Sequence, residues 1–146
     1  MGINSSMGTR AKKKITTKKV QEAVNAAIRR RDGTCMVRDG RHPCNGILTA
    51  SHFYAVGGNG SVRYYPENIH TQCLGHHGIH ERNQDPVFYH AWMLANHPDE
   101  LEFIERARGR VLKYDQETLH TIKDLADADR LDELAAYIRG KLDLEA

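Results

Sequence analysis

No stretch of this 146-residue chain approaches the roughly 20 consecutive apolar residues a membrane span needs, and its start is polar rather than signal-like. A soluble, cytoplasmic protein with no membrane partner is the expectation. A disulfide framework is equally unexpected. Cys35, Cys44 and Cys73 are an odd number in a chain with no secretory signature, so metal ligation is the better use for them. Acid is nearly missing from the first 31 positions, where Glu22 stands alone against Arg10, Lys12, Lys13, Lys14, Lys18, Lys19, Arg29, Arg30 and Arg31. That segment carries +8 and the remainder −6, within an overall net charge of +2. A basic arm on a mildly acidic body is a footprint of phosphate-backbone binding, since each bound Lys or Arg releases condensed counterions. No internal repeat is present.

The length allows one domain with a modest core plus tails. Residues 1–15 read as a disordered basic arm. Thr16 or Thr17 caps a helix to about Arg31, with Val20, Ala23, Val24, Ala27 and Ile28 on one stripe and Gly33 as its stop. Residues 33–84 break this pattern and hold eight glycines, two prolines, all three cysteines and six of the nine histidines. Short strands are expected at Gly46–Ala50, leading into Ser51-His52-Phe53, and at Val62–Tyr65, with a turn at Gly57–Gly60. Asp85-Pro86 starts a helix to about Asn96, and another begins near Pro98. From Asp115 to Leu142 the apolar period continues, and Asp127-Ala128-Asp129 either separates two helices or rides within one. The fold class is therefore α+β: a core over 16–97 that includes the first helix, and a helical C-terminal extension over 98–146.

A core of loops and short strands needs a staple. Cys35 and Cys44 lie on one loop, and Cys73 and His76 form a Cys-x2-His pair farther on. Thiolate and imidazole are the favoured ligands of zinc, so two such pairs can converge on one tetrahedral ion. The intervening loop, Met36–Pro43, is then expected to bulge outward. His76 is the chosen fourth ligand, with His77 and His80 as competitors. Cysteines buried merely as small apolar residues are the plainer alternative. Their confinement to the segment most in need of a staple argues against it.

Hydrolysing a phosphodiester needs a base for water and a metal to hold the scissile phosphate. His52 follows a strand-like run, Asn68 lies beyond the glycine turn, and His77 adjoins the Cys-x2-His pair. The order His, Asn, His around a two-part zinc staple is the arrangement of HNH (ββα-metal) nucleases. The segments Gln21–Asp32, Ala50-Ser51-His52-Phe53 and Glu67–Cys73 go further and resemble the NinG (Rap) family of lambdoid phages. The similarity covers roughly residues 20 to 95 and, more weakly, the chain from Tyr114.

This resemblance implies a phage- or prophage-encoded DNA endonuclease of recombination that acts in the bacterial host on branched substrates such as Holliday junctions and D-loops. It implies His52 as general base, Asn68 as the residue that holds the loop and orients His52, and His77 as ligand of a catalytic magnesium or manganese ion. Lys12, Lys13, Lys14, Lys18, Lys19, Arg29, Arg30 and Arg31 would grip phosphates without reading sequence. Junction cutting calls for two active sites, which a homodimer would supply; recombination proteins are further candidate partners. The chain departs from the family at Cys73-x2-His76-His77, where Cys-x2-Cys-Asn is usual, and in the wide spacing of its first cysteine pair. Ser51 stands where many HNH enzymes carry an Asp or His ligand. His42, His70 and His80 are left as structural or phosphate-facing, with His70 a candidate to line the site. A non-catalytic zinc module that binds DNA and a sequence-specific HNH nicking enzyme are the alternatives.

Overall fold

The computed structural model describes residues 13–58, 60–82 and 86–142. Most of the basic arm, with Arg10 and Lys12, lies outside the described residues, as do Asn59 and Asp85. Helix α1 spans Thr17–Asp32. Thr16 caps it by accepting the Lys19 amide at 3.1 Å, and Gly33, at φ 70°, closes it with an N–H to the Arg29 carbonyl. Val20, Val24, Ala27 and Ile28 are buried along one face. Removing Val20, Val24 or Ile28 from water contributes roughly 1.5–3 kcal/mol each.

Two strands follow, β1 (Leu48–His52) and β2 (Ile69–Cys73), paired antiparallel with His52 opposite Ile69 and Leu48 opposite Cys73. Strand β2 runs directly into a one-turn helix, α2 (Leu74–His77), and a wider turn over Gly78–Arg82. Four helices complete the chain: α3 (Pro86–Asn96), α4 (Pro98–Ala107), α5 (Gln116–Asp127) and α6 (Leu131–Leu142). Helix α1 packs on α5 and on both strands, so the apolar residues of the C-terminal helices and of the cysteine-rich segment share a single core. The break between α5 and α6 falls at Ala128–Arg130, where Asp129 adopts φ 58°.

One expectation changes. Val62–Tyr65 is not a strand: Gly60–Val62 and Pro66–Asn68 are 3-10 turns, and the Tyr65 amide reaches back to the Val62 carbonyl at 3.1 Å. Tyr64 and Tyr65, adjacent in the chain, are both fully buried, and the turn carries both side chains into the core. The second strand is instead Ile69–Cys73, all of whose residues are buried, so no alternation marks it in the sequence. The last residues of the arm make contacts with α5. Ile15 exchanges two hydrogen bonds with the Gln116 side chain, and the His120 ring donates to the Lys13 carbonyl.

The end of α1 is fastened to β2 by Arg31 and Asp32. Asp32 accepts the Thr71 amide at 2.9 Å and the Arg31 Nε–H at 2.7 Å. Burial opposes ionisation of Asp32, but hydrogen bonds from Arg31 and Thr71 and the guanidinium charge outweigh it and hold its carboxyl below the usual range. A depressed folded-state pKa gives stability that is present above the unfolded value, about 3.9, and lost as pH falls through the folded one. Asp32→Asn should therefore be about 1–3 kcal/mol less stable than the parent at pH 7. In denaturant melts across pH 2–7 that gap should narrow at the acid end. A gap constant with pH would remove the charge from the explanation.

Candidate metal centre and adjoining pocket

Three segments converge beside α2. The chain after α1 is held to β2 by the Met36 amide on the Thr71 carbonyl (2.7 Å) and the Gln72 side-chain amide on the Val37 carbonyl (2.9 Å), which places Cys35. The next loop returns along α2, with the Gly75 amide on the Asn45 carbonyl and the Leu74 amide on the Ile47 carbonyl. Gly46, at φ 84°, permits this approach, because a Cβ there would lie 2.8 Å from the Leu74 Cβ. Cys44 arrives by this route. Cys73 ends β2 and caps α2, accepting the amides of His76 (3.4 Å) and Asn45 (3.3 Å) on its sulfur.

The Sγ atoms of Cys35, Cys44 and Cys73 lie 3.6, 3.7 and 3.2 Å from His76 Nδ1, and the four ligand atoms are all within 4.8 Å of one another. Bonds of about 2.3 Å to sulfur and 2.0–2.1 Å to nitrogen fit between atoms so spaced, and the donor set is that of structural zinc. The Cys3His cluster can therefore bind a metal such as zinc. Burial works against ionisation of Cys73, yet the amides of His76 and Asn45, the His76 ring and the Cys35 thiol bring it down to about 6. Burial and the neighbouring thiols, with Cys73 ahead of Cys44, push Cys35 up to about 12 against one hydrogen bond to Cys73. Three thiols crowded around one nitrogen favour a shared cation.

His76, rather than its neighbours, is the histidine in the cluster. His77 lies 3.4 Å by Nδ1 from Thr49 Oγ1, and His80 meets the Gln72 side chain. Sequence reasoning missed Asp39. The loop from Met36 to Pro43 does not simply bulge outward; it turns Asp39 inward, leaving its side chain 4% exposed. Asp39 Oδ1 accepts the His76 Nε2–H at 3.2 Å, and the carboxylate also takes the Arg41 and His42 amides and the His42 ring. An Asp followed by Gly, with backbone amides two and three residues on, was the available signal. Despite burial, these donors hold its carboxyl well below the usual range. With Nε2–H committed to Asp39, the His76 lone pair on Nδ1 faces the three sulfurs. Removal of such an outer carboxylate typically costs about 10–100-fold in metal affinity. Asp39→Ala should show that loss in competition with a zinc chelator, and unchanged affinity would exclude the orienting role.

A pocket of about 670 Å³ opens beside the sheet, lined among others by Ser51, His52, Gln72, His77, His80 and Tyr89. His52 Nε2–H donates to the Arg63 carbonyl at 2.8 Å, which in the neutral ring puts the lone pair on Nδ1. Fully buried Asn68 clips the intervening loop. Its Oδ1 accepts the Tyr54 amide (2.9 Å), and its Nδ2 donates to the carbonyls of Tyr54 and Val62 (3.1 Å each). Its own carbonyl takes the Phe53 amide at 2.7 Å.

The basic residues divide. Lys13, Lys14, Lys18, Lys19 and Arg29 are exposed. Arg30 is half exposed and paired with Asp129 at 2.7 Å. Arg31 also clamps its own chain: beyond Asp32 it donates to the carbonyls of Pro66 (3.2 Å) and Ile69 (2.9 Å). Among the described residues no helix is long and apolar enough to cross a membrane.

Compared with known proteins, the family model described as Bacteriophage Lambda NinG protein matches residues 8–131. No curated protein and no solved structure matches the chain. The matched span includes the Cys3His cluster and every residue that lines the pocket, and the chain belongs to the bacteriophage lambda NinG family.

Proposed function

We propose that the chain is a metal-dependent DNA endonuclease of phage recombination, built on the HNH plan and acting on branched DNA. The observation that carries this reading is the shared pocket, in which His52 from the end of β1 and His77 from α2 face one space. The order strand, strand, short helix agrees with the HNH plan, and the Cys3His cluster on the other side of α2 would be its zinc staple. Membership of a phage family supports the recombination context.

In this reading His52 Nδ1 takes a proton from water as the water oxygen bonds to phosphorus and the bond from phosphorus to the leaving sugar oxygen breaks. Asn68 is a positioning residue, since it fixes the loop whose Arg63 carbonyl orients His52. His77 would hold the catalytic divalent ion, magnesium or manganese, which supplies charge neutralisation at the phosphate. Among the described residues no carboxylate lines the pocket, so phosphate and water would provide the remaining oxygen ligands. Lys18, Lys19 and Arg29, with the arm, are suited to hold the DNA backbone.

A second reading, a zinc module that binds DNA without cutting it, is favoured by Ser51, which gives the pocket a buried hydroxyl where a stronger ligand is common. The purified chain should be offered linear, forked and four-way DNA with magnesium or manganese. The endonuclease reading expects the forked and four-way substrates to be cut and linear duplex spared. Binding of all three without cleavage would replace it with the accessory reading, and nicking of plain duplex at one sequence would indicate a site-specific enzyme.

A further inference from the structure

A second group of ligand atoms stands apart from the thiolate cluster. Glu67 lies in the 3-10 turn Pro66–Asn68, His70 on β2, and His97 at the corner between α3 and α4. Glu67 Oε1 is 3.7 Å from His70 Nε2 and 4.0 Å from His97 Nδ1, and the three ligand atoms are within 4.8 Å of one another. The other oxygen of Glu67 faces Arg31 Nη1 at 3.6 Å, and the charge of that guanidinium is already paired with Asp32.

The hydrogen bonds of His70 decide what this group can do. Its side chain is 2% exposed. The Tyr89 hydroxyl has one hydrogen, donated to the Ser51 carbonyl at 3.0 Å. The 3.1 Å contact between that hydroxyl oxygen and His70 Nδ1 therefore needs the proton on Nδ1. In the neutral ring Nε2 then carries a lone pair, buried and with no hydrogen-bond partner. It faces a carboxylate oxygen of Glu67, also an acceptor, at a separation too long for a hydrogen bond. Two acceptors facing each other at that separation repel unless a cation joins them.

We propose that Glu67, His70 and His97 form a second metal site that takes one divalent transition ion of the zinc class. Two imidazole nitrogens and one carboxylate oxygen are a donor set for zinc and its neighbours, and a poor one for magnesium or calcium. Bonds of about 2.0–2.2 Å bring an ion within reach of Glu67 and His70 as they stand. His97, one-third exposed, can swing in to complete the set. The bound ion ties the start of β2 to the α3–α4 corner. Through His70 and Tyr89 it also braces the wall of the pocket from behind. This site does not depend on the chain being a nuclease.

Metal content and cobalt substitution test it. The wild-type chain should retain about two zinc ions, one per ligand cluster, after gel filtration in zinc-free buffer. With cobalt, the Cys3His cluster gives intense thiolate-to-metal charge-transfer bands, whereas the second equivalent should add only weak visible bands. His97→Ala, at a partly exposed position, should weaken the second equivalent by more than the roughly 10–100-fold that outer-shell changes cost, with the charge-transfer bands intact. Glu67→Gln should do the same, and His90→Ala, at an exposed histidine elsewhere on α3, should retain both ions. A wild-type chain that holds one equivalent only, or a His97→Ala chain that holds two, would overturn the proposal.

Discussion

Cys73→Ser should lose the zinc of the Cys3His cluster and, with it, the cooperative unfolding of the chain. Cys73 does three things at once: it offers a thiolate, caps α2, and accepts the amides of His76 and Asn45. Serine can keep the cap but not a soft ligand. The loop from Gly33 to Ile47 contributes few buried apolar side chains, with Cys35 and Val37 the fully buried ones, so little else fixes its course. Structural zinc in small domains contributes about 10–16 kcal/mol at neutral pH, while whole domains are stable by only about 5–15 kcal/mol. The metal term is as large as the whole margin. Zinc analysis and thermal melts followed by circular dichroism measure this directly, and a chelator added to wild type should mimic the variant. Because the thiols release protons on binding, retention should also weaken as pH falls. A Cys73→Ser chain with the parent's zinc content and melting curve would show that the cysteines are not ligands.

The second large effect is expected at His52. His52→Ala should lower cleavage of a four-way junction by about 10²–10⁴-fold, the usual contribution of a positioned general base, while DNA binding stays within a few-fold of the parent. His52 is only partly buried at the edge of the pocket, where its ring bonds to the Arg63 carbonyl, so truncation removes the base without opening the core. Binding by gel shift without divalent ion, alongside single-turnover cleavage with it, separates the two roles. Equal cleavage by parent and variant would defeat the base assignment even if the chain is a nuclease.

Much of the helical architecture was legible in the sequence. The Thr16 cap, the buried stripe from Val20 to Ile28 and the Gly33 stop all appear where periodicity and capping chemistry place them. The strand assignments fared less well. Tyr64 and Tyr65 have the composition of a strand but turn so that both side chains enter the core. Ile69–Cys73 is a strand whose polar members, His70, Thr71 and Gln72, are buried against partners supplied by distant segments.

The residues by themselves determined the helices, the supply of thiolate and imidazole ligands, and the family motifs around His52 and Asn68, because each of these depends on neighbours within a few positions. Tertiary structure alone decided that His76 rather than His77 or His80 joins the three cysteines. It also turned Asp39 inward, made Arg31 a clamp, and gathered Glu67, His70 and His97 from three separate elements. Those outcomes follow from how far-apart segments pack. Backbone period and cap chemistry are local, whereas which side chain ends beside which is set only when the whole core closes.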